Sequence, residues 1–184
     1  MSRTLRGVFT ASVIAASLFA STSALFANDM FLKVDGITGE STDDKHRGEI
    51  DILSWSWGES TGTARTSRGL QPTACIQDMS LTKFIDSSSP ALIMNAMSGE
   101  VVPTAVLVVR KAGESQLEFL RITMKNVSVT SFQTGGSGGE DRITENVVLH
   151  FDSMQGQYRK QRADGTADVP ITWDISAANS AGCR

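Results

Sequence analysis

The chain has 184 residues, 40% hydrophobic and 20% charged, with a formal charge of −3. That length fits one domain, and the composition is globular, not disordered, collagen-like or disulfide-dense. The negative balance argues against a nucleic-acid coat or a protein held on an anionic membrane surface.

The charge is unevenly placed. Residues 1–28 hold Arg3 and Arg6 and no acid, so the other 156 residues carry 15 basic and 20 acidic side chains, a net of −5. Met1–Gly7 is short and basic, Val8–Ala20 is apolar with small residues, and Ser21–Ala27 follows, with cleavage points after Ala24 or Ala27. This is the order of a secretory leader, and residues 1–27 are read as one. Two alternatives stay open: an uncleaved anchor, weakened by six Ser and Thr in the stretch, and a true start at Met30.

After the leader, strand patterns dominate. Phe31–Asp35 alternates apolar and polar, and Gly36 stops it. Residues 38–48 are polar throughout and are expected to form a long exposed loop. Ile50 and Ile52, then Leu53, Trp55 and Trp57, fall on opposite parities, which predicts a β-bulge at 52–53. Gly58–Gly69 reads as a second polar loop, and 73–84 as one strand. Asp86–Pro90 offers capping residues with proline in the first turn, and Leu92, Ile93, Ala96 and Met97 follow at helical spacing before Gly99. Val101–Val109 is a nearly continuous apolar strand, expected to be buried on both faces. Residues 116–133 form a long strand with a parity change near Lys125–Asn126, and Gly135–Gly139 is a turn. Ile143, Val147, Leu149 and Phe151 share one parity, Asp164–Gly165 marks a turn, and Val169–Ile175 closes the chain as a last strand. The sum is about seven strands and one helix, most naturally an antiparallel β-barrel of residues 30–184 with one flanking α-helix.

Catalytic chemistry is not advertised. The two histidines, His46 and His150, lie in no nucleophile-and-base setting. The glycine turn at 135–139 lacks a following Lys-Ser/Thr and carries Glu140–Asp141, which would repel phosphate. Asp35, Glu40, Asp43 and Asp44 do not match a calcium loop, and no cysteine pair has zinc spacing. No enzyme activity, cofactor or metal is expected. Asn126–Ser128 is a glycosylation triplet in form only. Cys75 and Cys183 could pair in an oxidising compartment, but they are read as a buried strand thiol and a frayed terminal thiol, and Trp55 and Trp57 as packing residues.

Several motifs carry a family resemblance. These are M-F-L-K-V-D-G-I at 30–37, G-E-S at 39–41, D-x-x-H-x-x-E-I at 43–50 and L-S-W-S-W-G at 53–58. They continue as T-K-F-I-D-S-S-S-P at 82–90, A-V-L-V-V-R-K-A-G at 105–113, T-G-G-S-G-G-E-D-R at 134–142, I-T-E-N-V at 143–147 and W-D-I at 173–175. In this order, from Met30 to about Asn179, the chain resembles the haemolysin-coregulated protein (Hcp) family of type VI secretion. The resemblance implies a barrel similar to a phage tail-tube subunit, stacking as homo-hexameric rings into a hollow tube. It implies partners: a sheath, a spike of the VgrG type and effector proteins carried in the tube, with neither nucleic acid nor stable membrane association. By the same resemblance, ring-to-ring contact falls to the loop residues Thr38, Gly39, Glu40, Ser41, Asp43, Asp44 and His46. The apolar strand supplies a candidate subunit interface at Val102, Thr104, Val106 and Val108. Tubes of this kind assemble in the cytoplasm and leave without a cleaved leader. A functional leader would instead send the chain to the periplasm, as an exported binding protein or effector acting without a sheath.

Overall fold

The structure, a computed structural model, describes residues 28–67, 69–112, 116–139, 141–162 and 166–176. The leader and the Asp164–Gly165 turn therefore lie outside the described residues. In chain order the elements are β1 (Asn28–Val34), β2 (Ile50–Ser56), β3 (Glu59–Thr66), β4 (Gly69–Ile76), β5 (Met79–Phe84), α1 (Ser89–Ser98), β6 (Val101–Lys111), β7 (Glu118–Gly135), β8 (Thr144–His150), β9 (Ser153–Tyr158) and β10 (Ile171–Ser176). Among the described residues no helix is long and apolar enough to cross a membrane.

Six strands close an antiparallel barrel in the order β7-β6-β1-β2-β5-β8, with β8 returning to β7. β7 makes closure possible by its length of 18 residues. Its first part pairs with β6 on one edge and β9 on the other, and its second part pairs with β8. Asn126 sits between the two parts at φ 50° and flips the inward parity from Met124 to Val127, as the sequence pattern suggests. β10 adds to β9 outside the barrel. The core includes Leu32, Ile50, Leu81, Leu107, Met124 and Phe151. Burying side chains of this size stabilises the fold by about 1.5–3 kcal/mol each.

The expected bulge is present, as a register shift in the β2–β5 pairing between Ile52 and Ser54. The expected helix is present too, with proline in its first turn and Gly99 ending it in the left-handed region at φ 69°. Four expectations change. Gly58–Gly69 is not a loop: β3 and β4 form a separate two-stranded sheet, paired from Glu59↔Ile76 to Thr66↔Gly69. A ribbon with mostly exposed side chains has no apolar parity to betray it. The single strand read at 73–84 is two, broken at Gln77, whose N–H donates to the Gly58 carbonyl. β9 was unforeseen because it is polar and contains Gly156. That glycine is needed, since a Cβ there would lie 2.0 Å from Cε2 of Trp173 on β10. Finally, Cys75 is not a free thiol but is disulfide-bonded.

A buried ionic cluster fastens the β5–α1 connection. Lys83 and Glu145 are each only 1% exposed and lie 2.8 Å apart. Lys83 Nζ also donates to the Phe84 carbonyl and Ser89 Oγ and pairs with Asp86 Oδ1, while Ser89 Oγ donates to Glu145 Oε2. Each charge has partners, which is the condition for burying it. Removing one partner strands the other. Lys83→Ala should therefore cost about 3–5 kcal/mol in urea unfolding, and Lys83→Met with Glu145→Leu should recover most of that loss.

Candidate functional site

The 38–48 loop is latched to the barrel, not free. Its base closes like a short hairpin, Gly39 N–H donating to the Gly48 carbonyl and Gly48 N–H to that of Ser41. Gly39 must be glycine, because a Cβ there would lie 2.4 Å from the Glu49 carbonyl oxygen. Arg110 of β6 reaches the loop from below. Its Nη1 donates to Asp43 Oδ1 (3.0 Å), and its Nη2 to Asp43 Oδ2 (2.7 Å) and to Asp29 Oδ2 (2.8 Å). Phe31 of β1 takes both partners on its ring: the Arg110 guanidinium at 4.9 Å and His46, stacked at 4.2 Å with the planes 8° apart. His46 is 4% exposed, with Nδ1 2.9 Å from Glu49 Oε2 and Nε2 3.4 Å from Glu118 Oε1, the latter without hydrogen-bond geometry. The second attachment is to the loop before α1, where Ser87 N–H donates to Glu40 Oε1 and Ser87 Oγ to the Thr38 carbonyl.

This arrangement sorts the loop residues. Gly39, Ser41 and His46 are buried, and Asp43 is held by Arg110. Thr38, Glu40 and Asp44 face solvent, with Asp44 99% exposed. On β6, Val102 and Val108 are buried inside the chain's own fold, while Thr104 and Val106 are half-buried on the outer face. Trp55 and Trp57 pack against the core.

Pattern reading did not single out a second surface, the outer face of β2, β5, β8 and the end of β7. The register brings Ser80 beside Val148 and Ser131, and Thr82 beside Asn146 and Gln133, with Ser54 and Ser56 on β2 alongside. These side chains are hydroxyls and amides apart from Val148. Among the described residues charge stands at the ends, with Arg142 over the Phe84 ring at one, the His150–Asp78 pair at the other and exposed Asp51 at the start of β2. Both edges of this sheet are open: among the described residues no strand pairs with the far side of Leu53–Ser56 or of Thr130–Gly135. Among the described residues no group of three His, Cys, Asp or Glu could hold a metal ion.

Comparison with known proteins places this geometry. A family model described as "Type VI secretion system effector, Hcp" matches residues 31–158. The chain is 48% identical over 155 residues to Protein hcp1 of Pseudomonas aeruginosa, covering 81% of this chain and 96% of that protein. Among solved structures it is similar to Hcp1 of Salmonella typhimurium, with 34% identity, a TM-score of 0.66 and coverage of 82% of this chain and 95% of that one. A structure described as a type six secretion system protein has 30% identity, a TM-score of 0.74 and coverage of 82% and 96%.

The latch has a pH signature. The hydrogen bonds from Arg110 hold the Asp43 carboxyl at about 2, below its ordinary 3.8, against partial burial, which pushes the other way. A carboxyl lowered by folding adds stability that is full above its ordinary pKa and is lost as pH falls through the folded value. Asp43→Asn should therefore lower the urea midpoint at neutral pH, and the gap between variant and parent should shrink from pH 3.8 towards pH 2. A gap undiminished in acid would assign the effect to another group.

Proposed function

The chain belongs to the Hcp family of type VI secretion, a family of secreted tube proteins, and from this premise we propose how it assembles and what it meets. Residues 30–184 act as one structural subunit. Subunits join as hexameric rings, rings stack into the inner tube, and the tube is built in the cytoplasm and expelled with effectors inside. A sheath surrounds it and a VgrG-type spike caps it. The role is structural and uses no catalytic residue.

The observation that carries this reading is the four-stranded sheet with two open edges. When the β2 edge of one copy meets the β7 edge of the next, the contact is head to tail, and a contact of that type closes into a ring when its rotation allows. The hydroxyl and amide face then lines the lumen, polar enough to stay wet and free of fixed charge between its ends. The half-buried Thr104 and Val106 support contact on the outer face. The solvent side of the 38–48 loop, with Thr38, Glu40 and Asp44, supports contact between rings, and the Arg110 latch gives it a fixed shape.

Electron microscopy of the purified protein should show sixfold rings, and deleting the sheath genes should stop its release into the medium. Release that persists without a sheath but stops when general secretion is blocked would overturn the tube reading in favour of an exported binding protein. The mass of the natively released chain decides whether residues 1–27 are present in the working protein.

A further inference from the structure

His46 is buried, and both of its ring nitrogens face carboxylates. Nδ1 lies 2.9 Å from Glu49 Oε2 and Nε2 lies 3.4 Å from Glu118 Oε1. Nε2 has no hydrogen-bond partner. A neutral imidazole has one N–H and one lone pair, so neither tautomer can donate to both carboxylates. With the hydrogen on Nδ1, the Nε2 lone pair faces Glu118. With it on Nε2, the Nδ1 lone pair faces Glu49. The imidazolium carries a hydrogen on each nitrogen and answers both. We propose that His46 is a proton-operated clasp. Protonated, it bonds Glu49 and Glu118 together and holds the 38–48 loop on the start of β7. Deprotonated, it releases Glu118 and lets the loop open.

The groups around the ring favour the proton. On its own segment, Glu49 meets Nδ1 and Asp43 Oδ1 accepts the His46 backbone N–H, while Asp44, Lys45 and Arg47 are exposed. β1 supplies the stacked Phe31 ring and Asp29. β6 supplies Arg110, which lies over the same ring but is bound to Asp43 and Asp29. β7 supplies Glu118, whose Oε2 accepts from Arg121 Nη2 at 3.1 Å. Asp29, Asp43, Glu49 and Glu118 thus stand against Arg110 and Arg121, and a further positive charge reduces the imbalance. Burial alone disfavours a charged ring, and the two flanking carboxylates offset that cost.

The clasp complements the Arg110 latch. A histidine changes charge between about pH 5 and 8, well above the range in which Asp43 takes up a proton. Acid therefore acts on the latch and a rise in pH acts on the clasp. Every group involved belongs to one chain, so the clasp is independent of the tube reading.

The test uses the purified full chain. Gly39, Ser41, Gly48 and Glu49 donate backbone hydrogen bonds within the loop, and their amide-exchange protection reports its opening. Protection, corrected for the intrinsic exchange rate, should fall about threefold or more from pH 6 to pH 8, with a ceiling of about tenfold per pH unit for one proton. Nitrogen spectra of the His46 ring should show the loss of one hydrogen over the same interval. His150→Asn should leave the fall unchanged. Glu118→Gln should level it and keep protection high at pH 8, because a neutral amide donates to the Nε2 lone pair without a proton. Equal protection of the parent at the two pH values, a fall that survives Glu118→Gln, or a fall abolished by His150→Asn would each overturn the proposal.

Discussion

Closure of the barrel depends on β7 serving two sets of partners. A strand has two edges, and the inner edges of six strands must all be paired for a barrel to close. β7 meets this by spending its first part between β6 and β9 and its second part beside β8. The hand-over costs one unfavourable backbone conformation, Asn126 at φ 50°, in a residue type that tolerates it better than most. Because β6 begins only at Val101, opposite Ser128, the far edge of β7 beyond that point meets no strand among the described residues. The same constraint that shuts the barrel therefore leaves one edge available to another molecule.

Two buried cations set the loops around this barrel. Lys83 fixes the β5–α1 connection from inside, and Arg110 fixes the 38–48 loop from below. Both use carboxylates that are distant in the chain, Glu145 for one and Asp43 for the other. Each arrangement fails if one member is lost, since a buried charge without a partner is costlier than none. The Arg110 guanidinium is raised further above its ordinary pKa, mainly by its bonds to Asp43, so it stays charged across any accessible pH. Acid must therefore act on the latch from the carboxylate side.

Much of the fold was legible from local chemistry. Pro90 and Gly99 bracket the helix, the parity break at 52–53 is a real bulge, and the break near Asn126 is a real change of face. What stayed hidden was carried by distance or by polarity. The β3–β4 ribbon lacks an apolar stripe in its sequence, and β9 buries only Met154 and Gly156, the second of which has no side chain to show it. Lys83 and Glu145 look like surface residues until the β5–β8 register places them opposite each other. The candidate site was half visible. The polarity of 38–48 marked an excursion from the barrel. No local pattern showed that His46 turns inward onto Phe31, or that Arg110 grips Asp43 from 67 positions away.

The neutral face of β2, β5, β8 and β7 has a physical consequence of its own. Attraction between fixed charges is screened over about 8 Å at physiological ionic strength and weakens as salt rises. Contacts made by Ser54, Thr82, Asn146 and Gln133 are dipolar and short-ranged, so counterions have little to displace. A molecule resting on such a face meets many weak, interchangeable grips and no deep electrostatic trap, so its hold changes little with salt.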